Sequence, residues 1–274
     1  MKLAHQKNKA TRAWARELLQ GHRGTAAVLL LLGFLLAAGA GFLPLLLDFA
    51  ANQAAAAIPN HTPTVELGLR WGKAGGAVLL VLLAALLCAP LRVGREAWFY
   101  GGADGRKRSS ARITFWLQPR WAFTATRFVL AVSLRKLLWA ALYLLPGGFL
   151  LVGTLWQARA GDLSMGLFLS AMGGGAALLV LGLFFYGATA QRYALVLPVL
   201  ARQPRCKLRN ALALSAARTD GRCAALLRFR LSLLPWAALS LPLIPLFFTA
   251  PYITQCLACR HAELLNGGVG QGEQ

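Results

Sequence analysis

Acidic side chains are scarce in this chain, with nine Asp and Glu against 29 Lys and Arg in 274 residues. That shortage leaves few candidates for general acid or base and little material for a carboxylate-built metal centre. No H-E-x-x-H, paired-glutamate, G-x-S-x-G or Walker pattern occurs. The templates for metalloprotease, α/β-hydrolase and nucleoside-triphosphate chemistry therefore find no footing. Charge as a whole is also low, at 14% of residues, where soluble domains carry roughly a quarter. What replaces it is apolar: 57% of the residues are hydrophobic. This is the composition of a membrane protein. Five cysteines (Cys88, Cys206, Cys223, Cys256 and Cys259) lie in scattered, mostly apolar surroundings. Their odd number makes no disulfide framework and leaves at least one free thiol.

The net charge of +20 would ordinarily point to nucleic acid, but its distribution argues against that partner. Six of the Lys and Arg residues fall in the first 24 positions, eight between Gly101 and Lys136, and eight between Pro198 and Arg230. Each cluster abuts an apolar run. Bacterial multi-pass proteins mark their cytoplasmic loops in this way, and such clusters attract anionic lipid headgroups. The segments from Asp48 to Lys73 and from Gln157 to Asp162 are formally neutral and fall on the opposite side. A bacterial inner-membrane location with a cytoplasmic N-terminus follows as the expectation.

A crossing needs roughly 20 apolar residues. The runs predict an all-α, polytopic transmembrane helix bundle of five to six segments, forming one integral membrane domain over 1–274. The spans are expected near 24–47, 74–100, 137–158, 163–197, 224–242 and 246–264, with the last two open to being one broken span. Residues 266–274 read as a flexible tail. The basic opening followed by an apolar run resembles a signal peptide, but its charged region is too long, and an uncleaved first span is expected. An amphipathic helix over 1–23 is predicted to lie in the interface, its apolar side formed by Ala13, Trp14, Leu18 and Leu19. Arg120, Arg127 and Arg135 recur every seven or eight residues and predict a basic stripe ahead of the third span. Pro235, Pro242, Pro245 and Pro251 exclude one straight helix at the end, so a tight hairpin turning at Ser240 to Pro245 is an option, with Arg260 and His261 snorkelling to the surface.

Ionisable groups at the membrane are costly and therefore the first functional candidates. They are Arg92, Arg95 and Glu96 at the cytoplasmic end of the second span, Arg192 at the end of the fourth, and Glu263 at the end of the last. Arg92 and Glu96 have the i, i+4 spacing of an ion pair. Interfacial anchoring beside an aromatic belt of Trp98, Phe99 and Tyr100 is the favoured role, and a cavity for an anionic solute lined by Glu96 and the arginines is the sharper one. Gly166, Gly173 to Gly175 and Gly182 have the spacing of close helix packing in lipid. Ser215 reads as a helix residue rather than a nucleophile. The stretch "CLACRH" (Cys256 to His261) has a C-x-x-C pair, but the thiols read as small apolar residues, and neither metal nor haem nor any other cofactor is expected.

Five separated segments resemble one family. They are "RAWARELLQGHRG" at the N-terminus, "VGREAWFYGGADG" (Val93 to Gly105), "LLWAALYLLPGG" (Leu137 to Gly148), "RNALALSAARTDGRCAALLRFRLSLLPW" (Arg209 to Trp236) and "TAPYITQ" (Thr249 to Gln255). In order and rough spacing they resemble the domain-of-unknown-function 975 family of bacterial integral membrane proteins. The resemblance implies a multi-pass fold with a Trp-containing helix ending in Pro-Gly, and it lends no activity. The leading functional expectation is a permease-like or accessory protein that handles an amphipathic or anionic substrate, with other membrane proteins or an ATPase as partners. The alternative is a membrane scaffold or regulator whose basic cytoplasmic helices bind anionic lipids or a partner protein. An enzyme is a distant third.

Overall fold

The computed structural model describes residues 2–56, 63–106, 108–161, 164–238 and 243–267, and among these every regular element is helical. In chain order they are α1 (Lys2–Leu19), α2 (Arg23–Ala56), α3 (Pro63–Ala103), α4 (Ala111–Leu117), α5 (Pro119–Ala160) and α6 (Met165–Ala190). A 3-10 turn (Gln191–Tyr193) follows, then α7 (Val196–Arg202), α8 (Leu208–Thr219), α9 (Cys223–Leu231), α10 (Leu234–Ala238) and α11 (Leu243–Asn266). Two helix stops have a plain cause. Gly21 follows α1 with φ 78° and Gly161 follows α5 with φ 79°, a left-handed backbone that glycine adopts without steric cost.

Among the described residues, three stretches are long and apolar enough to cross a membrane: Arg23–Gln53 in α2, Pro119–Ala160, and Met165–Arg202, which joins α6 to α7. Their apolar side chains face outward: Phe34, Phe49, Phe149 and Phe184 are all more than half exposed. Such surfaces in water would drive aggregation, whereas against lipid tails they carry no penalty. At 42 residues, α5 extends about 63 Å at 1.5 Å per residue, twice the hydrocarbon thickness. The basic stripe and the span predicted over 137–158 are therefore one continuous helix. That helix also runs straight through Pro146 and Gly147, so the expected Pro-Gly helix end is not there.

Contacts gather the chain into two compact units. The first comprises Met1–Arg127 with Trp236–Cys259, and the second Phe128–Pro235 with Arg260–Gln274.

In the first unit α2 packs along α3, and α4 folds back on α3. Gly94 allows that return, since a Cβ there would lie 3.1 Å from the Cα of Ile113. Trp98, Phe99 and Tyr100 are 2%, 0% and 2% exposed, so the expected aromatic belt is instead core. Arg108, in the loop before α4, ties three helices together. Its guanidinium donates to the carbonyl of Leu18 at 2.5 Å and to Oε1 of Gln255 at 2.9 Å, and it lies 4.7 Å from the ring centroid of Trp98. Burial pulls this guanidinium below its usual range, opposed by Cys259. α1 buries Thr11, Ala15 and Leu19, while Ala13 is exposed. Its packed stripe is thus rotated from the predicted one, because the helix packs on protein and not only on an interface.

In the second unit α5 and α6 approach at their glycines. A Cβ on Gly147 would sit 2.8 Å from the backbone N of Leu179, and one on Gly175 would sit 2.7 Å from Cδ2 of Leu151. Gly182 rests against the Tyr143 carbonyl. The predicted glycine packing holds at Gly175 and Gly182, whereas Gly166, Gly173 and Gly174 are exposed. Ser215, fully buried, donates to the Arg192 carbonyl at 2.6 Å and accepts from the Leu195 N–H at 3.3 Å. Its hydroxyl splints α8 to the turn after α6, a structural role.

The proline-rich end divides into α9, α10 and α11. Leu243 to Pro245 form the first turn of α11, where proline is tolerated. The rest of the hairpin turn proposed at Ser240 to Pro245 lies outside the described residues, as does most of the tail expected over 266–274. His261 is 6% exposed, so it does not snorkel as expected. The C-terminal half of α11 is buried on nearly all sides, which leaves that imidazole no path to the surface.

Candidate functional site: a cleft with two arginines

The described cleft of most chemical interest lies within the first unit. It has a volume of about 270 Å³ and is lined by α2, α3 and Ile113 of α4. Helix periodicity explains its walls. From α2 come Leu29, Leu32, Gly33, Leu36 and Ala37, and from α3 come Cys88, Leu91, Arg92 and Arg95. Both sets follow the i, i+3, i+4, i+7 rule for a single helix face. One wall is aliphatic, and the facing wall carries two cations three residues apart.

Arg95 is seated by a small residue. A Cβ on Gly33 would come within 3.3 Å of its Nη1, so glycine leaves just enough space for the guanidinium beside α2. The Nε of Arg95 is buried and has no hydrogen-bond partner among the described residues. An unpaired buried donor costs about 1–3 kcal/mol, so an acceptor entering this cleft would relieve that cost. The charges acting on Arg95 are Glu96 and Arg92.

The five predicted residues separate. Arg92 and Arg95 share the cleft, and Glu96 stays out of its lining. The Arg92–Glu96 ion pair expected from spacing is not formed. Both arginines line the cleft, while Glu96, one residue on from Arg95 and so about 100° around the helix from it, does not. Arg192 and Glu263 belong to the second unit. The side chain of Arg192 is exposed, and Glu263 pairs with Arg260 at 2.6 Å. The aliphatic wall and Gly33 were missed in the sequence. The only available signal was a five-residue stripe inside an almost uniformly apolar run, where every face looks alike.

Cys256 and Cys259 are fully buried and form no disulfide. Among the described residues no group of three His, Cys, Asp or Glu side chains comes together. Elsewhere, Arg120 and Arg127 are exposed, and Arg135 donates to its own helix at Ala131.

Fold and site together define an all-helical chain with three helices able to cross a membrane and an arginine-bearing apolar cleft. No family model, curated protein or solved structure matches it.

Proposed function

We propose that this chain is a permease-like or accessory protein of the bacterial inner membrane that takes an anionic amphiphile into the cleft between α2 and α3. The observation that carries the reading is the pairing of two guanidiniums with an aliphatic wall in one cavity. A ligand fitting both halves has an anionic head, to accept from Arg92 and Arg95, and an acyl or alkyl chain to lie on Leu29, Leu32 and Leu36. The volume falls just below the usual small-molecule range of about 300–1,000 Å³, which suits a headgroup and the start of a single chain. In this reading the N-terminus is cytoplasmic, and 74–100 and the proline-broken end add two or three spans to the three above. Kinship with the domain-of-unknown-function 975 family belongs to the same proposal and rests on the order of the five segments.

Leaflet exchange tests it. Proteoliposomes of phosphatidylcholine carrying a trace of fluorescent lysophosphatidylglycerol are bleached from outside with dithionite. With wild-type protein the fluorescence should fall well below the half that marks a static inner leaflet. Arg92→Gln with Arg95→Gln should restore the half plateau. A wild-type plateau equal to that of protein-free vesicles would overturn the proposal. The scaffold alternative, acting through exposed Arg120 and Arg127, predicts no exchange but loss of binding to anionic vesicles when those two are neutralised.

A further inference from the structure

A second cavity, of about 210 Å³, lies elsewhere in the first unit, where the end of α1 and the start of α2 meet α10 and α11. Among the described residues its charged lining consists of Arg16 and Arg23, with no carboxylate. Arg16 lies 5.7 Å from the ring centroid of Tyr252, which in turn meets Trp236 edge-on at 5.5 Å. One guanidinium is therefore held over an aromatic floor, and the other stands exposed across the mouth. Phe248, at the rim, is 68% exposed.

We infer that this pocket is a resident-lipid site that holds the phosphate of an anionic phospholipid between Arg16 and Arg23, with an acyl chain along Phe248. Three features fit that occupant together. Two guanidiniums without a competing acid suit a phosphodiester, which accepts from both at once. The aromatic floor has the amphipathic character of headgroup-level Trp and Tyr. The outward phenylalanine extends the site onto an apolar surface, which a lipid chain uses and a free phosphate does not. Neither arginine belongs to the Arg92 and Arg95 cleft, so the site stands independently of the transport reading.

Native mass spectrometry of the full chain in neutral detergent tests this. The probes are phosphatidylglycerol, phosphatidylcholine and glycerol 3-phosphate, each added separately. Wild-type protein should retain phosphatidylglycerol in preference to the other two. Arg16→Gln with Arg23→Gln should weaken that retention at least about tenfold, the loss expected for one charge-assisted hydrogen bond. Arg92→Gln with Arg95→Gln should leave one equivalent in place. Because Arg16 packs on Tyr252 and its loss could disturb folding, Arg23→Gln and Phe248→Glu, both at exposed positions, provide the second pair. Each should weaken retention while the circular dichroism spectrum stays unchanged. Equal retention of the two phospholipids, retention unaffected by the exposed-site variants, or equal retention of glycerol 3-phosphate would each overturn the assignment.

Discussion

Replacing Gly147 with alanine adds one methyl group where the backbones of α5 and α6 pack closely. That methyl would lie 2.8 Å from the backbone N of Leu179, 3.0 Å from its Cγ and 3.1 Å from the Gly175 carbonyl oxygen. Comfortable contacts for carbon begin at about 3.5 Å, so the helices must separate by roughly 0.5 to 1 Å. Two of the three atoms are backbone and cannot rotate away. A gap of that size forfeits a quarter to a half of each affected dispersion contact, and in lipid such contacts drive helix association. Overpacking costs about 1–3 kcal/mol, while alanine gains at most about 1 kcal/mol in helix propensity. Steric loss therefore offsets or exceeds that gain, leaving a net destabilisation of up to about 2 kcal/mol. Gly148, the next residue, supplies the control, since a Cβ there meets nothing within 4 Å. Its replacement by alanine should be neutral or stabilising by up to about 1 kcal/mol. Unfolding by SDS titration, followed by circular dichroism, separates the two. Equal midpoints for Gly147→Ala and Gly148→Ala would refute the seam.

Three further expectations concern the first unit. Arg108→Ala removes two charge-assisted hydrogen bonds and the stacking on Trp98. With each such bond worth about 1.5–3 kcal/mol and a discount for the half-exposed donor, it should destabilise by about 2–4 kcal/mol. Arg108→Lys should recover little, because an ammonium lacks the planar fork that reaches both Leu18 and Gln255, and thermal unfolding in detergent measures both variants. Gly102→Ala should act in the same direction, since its methyl would fall 2.7 Å from Cζ of Arg108. In the same unit, Cys256 and Cys259 are 0% exposed, so a maleimide should leave them unmodified in native membranes and label them after denaturation.

The helical class and the outward-facing apolar helices were legible because they rest on composition and run length. Arg92 and Arg95 were legible as candidates because a cation beside an apolar run is conspicuous. Their partner wall was not, because Leu29, Leu32 and Leu36 are surrounded by other leucines and periodicity gives no contrast there. Trp98 to Tyr100 misled for a related reason. An aromatic cluster at the end of an apolar run has the same sequence whether it faces headgroups or is covered by protein, and only distant residues such as Arg108 on Trp98 and Gln255 at Phe99 decide between them. Arg108 and Gln255, 147 residues apart, carry no local signal of their pairing. Gly147 was hidden behind Pro146, which suggested a helix end at the very place where α5 continues and packs.

The cleft contains its own reporter, Cys88. In a variant with the other four cysteines replaced by alanine, the rate of Cys88 modification by N-ethylmaleimide in phosphatidylcholine proteoliposomes measures access to the site. Lysophosphatidylglycerol should slow the modification, lysophosphatidylcholine should not, and Arg92→Gln with Arg95→Gln should abolish the protection. Equal protection by both lipids, or protection that survives loss of both arginines, would contradict the proposed function.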